Sequence, residues 1–176
     1  IGLDGGFAPW VGAILSDINK PILLISDEDR VEEAITRLSR VGFDNVKGYL
    51  KGGILSWQNA GKLTNKVNNI KSNDSYSFIE KSFNSKNKTL ILDVRNANEF
   101  NKYRFKNVLH CELNNLDDII NTQQKEQDIL VYCAGGYRSM MAVSILKKNN
   151  FKNINNLQNG IDYIFYNYQD VPFLEG

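Results

Sequence analysis

The sequence predicts an α/β fold built on a parallel β-sheet, and two observations support that class. Short, continuously apolar runs, TLILDV at residues 89–94 and ILVY at residues 129–132, have the character of strands buried on both faces of a sheet. Helical patterns alternate with such runs along the chain, which is typical of parallel strands joined by crossover helices.

Two of these helices are predicted from the spacing of their apolar residues. In the first, apolar side chains recur at i, i+3, i+4 and i+7, and Gly42 follows as a natural stop: Val31, Ala34, Ile35, Leu38 and Val41. The second spans about residues 139–148 and ends in two lysines, which suit the negative end of a helix dipole. Its apolar face consists of Ala142, Ile145 and Leu146.

The chain also contains an internal repeat. Residues 21–57 and 128–164 share one layout: an apolar strand, a polar loop, a helix, a Phe-x-Asn-[Val/Ile] sequence and a glycine before another helix. An offset of 107 positions superposes Ser26 on Cys133 and Gly53 on Gly160. The repeat predicts two related modules.

From this repeat we divide the chain into a first module at residues 1–64, a linker with the entry to the second module at residues 65–74, and a second module at residues 75–176. The first module has no counterpart of Asp93, because 93 minus 107 falls before residue 1. We therefore expect it to lack its opening strand and helix. We also expect other residues or another chain to cover the exposed sheet edge that results.

Composition excludes several classes of protein. The 176 residues are 42% hydrophobic and 23% charged, with a net charge of +1. No apolar run approaches the roughly 20 residues that a membrane span needs, and no dense Lys/Arg tract predicts nucleic acid as a partner. The two cysteines, Cys111 and Cys133, are too few for a disulfide framework and favour a reducing, cytoplasmic setting.

The stretch YCAGGYRS carries the predicted chemistry. Cys133 follows a buried strand, and Gly135 and Gly136 let the chain curl tightly into the next helix. The N–H groups of such a curl, with the helix N-terminus behind them, can stabilise a thiolate or a persulfide. The predicted substrate-binding residues beside catalytic Cys133 are Ala134, Gly135, Gly136, Tyr137, Arg138 and Ser139, with Arg138 pairing with an anionic donor or sulfite.

Other candidate residues have structural interpretations. Asp93 and Arg95 are predicted to form an ion pair that holds the conformation near the loop rather than to act in catalysis. Cys111 is interpreted as a buried packing residue. His110 cannot easily form a dyad with it, because neighbours in an extended segment face opposite sides.

The first module is predicted to be inactive. Ser26 stands where the second module has its cysteine, and no base that could activate a serine is evident. The residues that follow, Asp27, Glu28 and Asp29, would repel an anion rather than bind one.

Three motifs in order, LILDVRNANEF, VYCAGGYRS and FKNINNLQNGIDYI, resemble the rhodanese (sulfurtransferase) domain from about Ile70 onward. The resemblance implies a three-layer α/β/α fold with a parallel sheet of about five strands, and sulfur transfer through a cysteine persulfide. One departure is YRFKNV at residues 103–108, where the family often has Gly-His-Ile-x-Gly-Ala.

The first module is similar to a partial, degenerate rhodanese domain. Its sequence also resembles the domain that follows the metallo-β-lactamase fold in bacterial persulfide dioxygenase–sulfurtransferase fusions. That likeness implies an upstream domain holding iron or zinc and a role in sulfide detoxification. The chain itself has no HxHxDH-type cluster, so no cofactor is expected within it.

Three functions are compatible with these features. The first is a sulfurtransferase that uses small anionic sulfur donors and thiol acceptors. The second is a cysteine-based phosphatase, but that class needs five residues between cysteine and arginine, and here there are four. The third is a non-catalytic interaction module. The sequence leaves the oligomeric state open, a homo-oligomer included.

Overall fold

The computed structural model describes residues 1–84, 89–168, 170–172 and 174–176, and it divides the chain into two compact units, Ile1–Lys66 and Val67–Gly176. The first unit contains three helices and two strands: α1 (Phe7–Ile14), β1 (Ile22–Leu24), α2 (Val31–Ser39), β2 (Val46–Tyr49) and α3 (Gly53–Asn59). A short 3-10 turn, Glu28–Arg30, leads into α2.

The core of the first unit forms around α1 and α2. The periodic face predicted for α2 is buried at Val31, Ala34 and Leu38, because these positions lie three, four or seven residues apart on one side of the helix. A small apolar cluster fills the space between the helices: Phe7, Val11, Leu38 and Phe43.

The two strands of the first unit, β1 and β2, pair in parallel. Among the described residues, β2 is the only strand that pairs with β1. Beside this pairing, Leu23 is 76% exposed and Ile25 is 66% exposed, which is unusual for apolar residues in and just after a parallel strand. That this edge is covered by other residues or another chain stays a prediction.

The second unit has a five-stranded sheet and five α-helices among its described residues. Its elements are β3 (Asn68–Ile70), α4 (Ser72–Asn84), β4 (Leu90–Asp93), α5 (Ala97–Lys102), β5 (Arg104–Phe105), β6 (Leu109–His110), α6 (Asp117–Thr122), β7 (Ile129–Tyr132), α7 (Tyr137–Lys148), β8 (Ile154–Leu157), α8 (Gly160–Asn167) and β9 (Leu174–Glu175). The sheet order is β3-β8-β7-β4-β6, and every pairing is parallel. The predicted α/β class and the sheet of about five strands are confirmed.

One helix boundary differs from the sequence prediction, and the segment that leads into the second module contains regular structure. Residues 65–74, predicted to be a linker with the entry to the second module, contain β3, which pairs with β8, and the start of α4. The helix predicted from about residue 139 begins at Tyr137, because Gly136 takes a left-handed conformation and ends the loop. The first turn of α7 therefore consists of Tyr137, Arg138 and Ser139.

The centre of the sheet positions the candidate site. All four residues of β7 are fully buried, and β4 is buried over its last three residues. Because the strands are parallel, the segments after β4, β7 and β8 leave the sheet at one edge. Cys133 follows β7 at this edge. No helix in the described ranges is long and apolar enough to cross a membrane.

Candidate active site

Cys133 is the first residue of the loop between β7 and α7. Its sulfur accepts a hydrogen bond from the backbone N–H of Gly136 at 3.1 Å, and the residue is 1% exposed. The hydroxyl of Ser139 lies 3.7 Å from that sulfur and donates to the Gly136 carbonyl at 3.0 Å. The sulfur thus faces the N-terminal turn of a 12-residue helix, where partial positive charge favours an anion.

The outer side of this loop is held by α8. The N–H groups of Ile161 and Asp162 donate to the carbonyls of Cys133 and Ala134 at 3.0 and 3.2 Å. Gly160 allows this approach, because a Cβ atom there would lie 1.9 Å from the Ala134 carbonyl oxygen. Those carbonyls are turned toward α8, while the Gly136 N–H points inward at the Cys133 sulfur.

The two loop glycines have different roles. Gly136 has φ +92°, and a Cβ atom on it would lie 1.9 Å from the Gln158 carbonyl oxygen. Gly135 is exposed and has no left-handed φ, and a Cβ atom on it would meet no atom within 4 Å. Of the two glycines predicted to allow a positive φ, only Gly136 has one; that the missing side chain of Gly135 allows close approach to the loop stays a prediction.

Arg138 contacts a carboxylate that the sequence reading did not identify. Its two terminal nitrogens donate to the two oxygens of Glu99, each at 2.6 Å. The hydrogen bond and charge of Arg138 lower the pKa of Glu99, so that carboxyl is ionised at neutral pH. The available signal was Asn96 followed three residues later by Glu99, a capping box that places Glu99 in the first turn of α5.

Asp93 and Arg95 form a buried ion pair at the end of β4. The guanidinium donates to the carboxylate at 2.7 Å, and the two side chains are 0% and 1% exposed. Arg95 also donates to the Tyr103 carbonyl at 2.7 Å. Its guanidinium lies over the ring of Tyr132, the residue that precedes Cys133 in the chain. That the ion pair of Asp93 and Arg95 stabilises the Cys133 loop stays a prediction.

Cys111 and His110 have other partners. Cys111 is 8% exposed with its sulfur 3.2 Å from the Asn115 carbonyl, and burial raises the pKa of its thiol. The His110 ring lies 2.8 Å from the Arg95 carbonyl through Nε2 and stacks on Phe100. Within the described part of the chain, no group of three or more His, Cys, Asp and Glu residues is arranged to hold a metal ion.

The equivalent loop of the first unit has a different construction. Ser26 follows β1, and Glu28 accepts a hydrogen bond from the Gly52 N–H at 3.0 Å. The 3-10 turn that follows Ser26 contains Glu28 and Asp29. By the repeat offset of 107, these two carboxylates stand at the positions that Gly135 and Gly136 occupy in the second unit. That the first module is inactive remains a prediction.

The fold and the site together define a class: α/β proteins with a buried cysteine in a loop between a central parallel strand and a helix N-terminus. The family described as Rhodanese-like domain matches residues 78–165, which include β4, the Cys133 loop and most of α8. This match spans half of the 176 residues, and the chain belongs to the rhodanese-like domain family.

Curated relatives share this part of the chain. The tRNA uridine(34) hydroxylase of Prochlorococcus marinus (strain MIT 9312) is 34% identical over 83 residues, covering 42% of this chain and 27% of that protein. The putative sulfur carrier protein YrkF of Bacillus subtilis is 34% identical over 71 residues, covering 40% and 38%. The chain therefore matches well under half the length of either relative.

Solved structures also resemble the chain. A rhodanese-like domain protein from Staphylococcus aureus has a TM-score of 0.48 and 25% identity, covering 54% of this chain and 88% of its own. A rhodanese-related protein from Thermoplasma volcanium has a TM-score of 0.48 and 25% identity, covering 58% and 95%.

Proposed function

We propose that the second unit is a sulfurtransferase that moves a sulfane sulfur from thiosulfate or a small persulfide to a thiol, sulfite or cyanide. The observation that carries this proposal is the Cys133 sulfur, 3.1 Å from the Gly136 N–H at the N-terminus of α7. A thiolate and a persulfide anion both gain from that environment. Membership of the rhodanese-like family supports the same chemistry.

In the first step, the Cys133 thiolate attacks the outer sulfur of the donor. A new S–S bond forms to Cys133, and the donor's own S–S or S–sulfonyl bond breaks. Sulfite leaves with the bonding electrons when the donor is thiosulfate. In the second step, an acceptor thiolate or cyanide attacks the outer sulfur and restores the Cys133 thiolate. The covalent intermediate divides one difficult transfer into two easier steps.

Three parallel assays test this function with the 176-residue chain. We expect thiocyanate to form from thiosulfate and cyanide, sulfur to pass from a small persulfide to a thiol, and aryl phosphate to remain intact. Hydrolysis of the aryl phosphate without sulfur transfer would replace the proposal with a cysteine-based phosphatase. No turnover in any assay would favour a non-catalytic interaction module.

Arg138→Ala is expected to raise KM for thiosulfate and to lower kcat/KM. The corresponding loss of transition-state stabilisation is about 1.5–3 kcal/mol, the range for a hydrogen bond to a charged group. The substitution removes a cation near Cys133 and leaves Glu99 as an unpaired negative charge beside the loop. Steady-state kinetics measures the effect, with Arg138→Lys as the variant that keeps the charge but loses the bidentate geometry. Unchanged kinetics, or a protein that no longer folds, would contradict the assigned role.

We propose further that the chain is part of a larger cytoplasmic protein. The glycine and tryptophan pattern GYLKGGILSW of the first unit supports this, through its likeness to the domain that follows a metallo-β-lactamase fold in persulfide dioxygenase fusions. Sulfide detoxification would then be the biological setting, and the first unit an inactive rhodanese-like module. Sequencing the encoding gene upstream of the Ile1 codon tests this, and an upstream segment without that domain would end the proposal.

A further inference from the structure

The positive charge of Arg138 is matched by a fixed negative charge. Each carboxylate oxygen of Glu99 accepts from a different terminal nitrogen of Arg138, and the side chain of Arg138 is 19% exposed and that of Glu99 29% exposed. Glu99 is itself held in place, because Asn96 accepts from its N–H at 2.9 Å and donates a backbone N–H to its carboxylate at 3.3 Å. This bidentate, partly buried ion pair is the kind that keeps one geometry.

The arrangement leaves little net positive charge beside Cys133. Arg138 is paired with Glu99, and Arg95, behind the loop, is paired with buried Asp93. Stabilisation of an anion then depends on the Gly136 N–H and the N-terminus of α7, which supply partial rather than full charges.

Donors differ in how much charge they bring to this loop. Thiosulfate has two negative charges within one small group, and its leaving group, sulfite, keeps both of them. A small alkyl persulfide has at most one negative charge at its reacting end, and its leaving group is an alkyl thiol or thiolate. A loop with a neutralised arginine therefore disfavours thiosulfate more strongly than the persulfide.

We propose that Glu99 is a positioning residue that sets donor selectivity: by holding Arg138 as an ion pair, it favours persulfides of small thiols over dianionic thiosulfate. This inference rests on the proposed sulfur transfer through Cys133. Glu99 touches neither reacting sulfur and acts through Arg138.

Both reactions balance. With thiosulfate, the Cys133 thiolate takes the outer sulfur, the S–sulfonyl bond breaks, and the products are a Cys133 persulfide anion and sulfite. With a protonated alkyl persulfide, the thiolate takes the terminal sulfur, the alkyl S–S bond breaks, and the proton leaves on the alkyl thiol. No external oxidant or reductant is required, since the sulfane sulfur only changes partners.

Glu99→Gln tests the proposal, because glutamine preserves the capping box of α5 while removing the charge that neutralises Arg138. The measured quantity is the second-order rate constant for loading sulfur onto Cys133, from quenched time courses analysed by mass spectrometry. We expect a roughly tenfold rise with thiosulfate and a change of less than about twofold with the persulfide of 2-mercaptoethanol.

Two further variants separate selectivity from general electrostatic and structural effects. Glu112→Gln removes the same charge from a residue that accepts from the Ala97 N–H at the start of the same helix, and we expect it to leave the donor ratio unchanged. In an Arg138→Ala background, Glu99→Gln should raise the thiosulfate rate constant by clearly less than tenfold, because direct repulsion by the Glu99 carboxylate is relieved but no arginine is left to be freed for the dianion.

The outcomes distinguish this inference from the function on which it rests. Equal changes for both donors in Glu99→Gln, a slower reaction with thiosulfate, or an undiminished shift without Arg138 would overturn the selectivity role while leaving sulfur transfer intact. Failure of the wild-type chain to load sulfur onto Cys133 from either donor would overturn the proposed function, and this inference with it.

Discussion

Cys133→Ser is expected to reduce sulfur transfer to background, a loss on the order of 10³-fold or more in kcat/KM. In the part of the chain that the structure describes, the Cys133 sulfur hydrogen-bonds to the Gly136 N–H and the Ser139 hydroxyl, and a serine hydroxyl at this position would have these two groups beside it. Neither of these can remove its proton. The variant should nevertheless fold, because a serine oxygen can accept the Gly136 hydrogen bond in place of sulfur.

Peptide mass spectrometry after treatment with thiosulfate or persulfide checks this expectation directly. The wild-type chain should gain the mass of one sulfur atom on the peptide that contains Cys133. Cys111→Ser is the matched control, since it removes the other buried thiol and should keep both the label and turnover. Label on Cys111 alone, or undiminished turnover by Cys133→Ser, would show that the nucleophile is assigned to the wrong residue.

The features that sequence reasoning found depend on local or repeating patterns. Strands β4 and β7 are continuous apolar runs because both faces of a parallel sheet are covered, and their composition alone reveals them. The helix α2 repeats apolar residues every three or four positions, and the buried residues are those on that face. The cysteine, the glycine pair and the arginine are adjacent in sequence, so the candidate loop was visible as one segment.

The features that it missed depend on contacts between distant segments. Glu99 and Arg138 are 39 positions apart, and no local pattern indicates that the first turns of α5 and α7 meet at the same edge of the sheet. The start of α7 was placed two residues late, because the left-handed Gly136 and not the loop composition sets it. Residues 68–70 lie in the segment predicted to be a linker with the entry to the second module, and their polar composition conceals an edge strand, which needs backbone partners on one side only.

Gly160→Ala is expected to lower stability by about 2–5 kcal/mol and to slow loading of Cys133, for two separate physical reasons. The backbone has φ +65°, a conformation in which a Cβ atom costs about 1–2 kcal/mol. In addition, that Cβ atom would lie 1.9 Å from the Ala134 carbonyl oxygen and 2.4 Å from the Cys133 carbonyl oxygen. The loop would have to move away from α8, at the typical overpacking cost of about 1–3 kcal/mol.

The internal repeat supplies the matched control for this variant. Gly53 is the counterpart of Gly160 at an offset of 107, with φ +58°, and a Cβ atom on it would meet nothing within 4 Å. Gly53→Ala should therefore show only the backbone cost and should load Cys133 at the wild-type rate. Denaturant unfolding and quenched loading time courses measure both effects. If the two variants lose the same stability, or if Gly160→Ala loads sulfur normally, the packing of α8 on the loop carbonyls does not hold the cysteine in its reactive position.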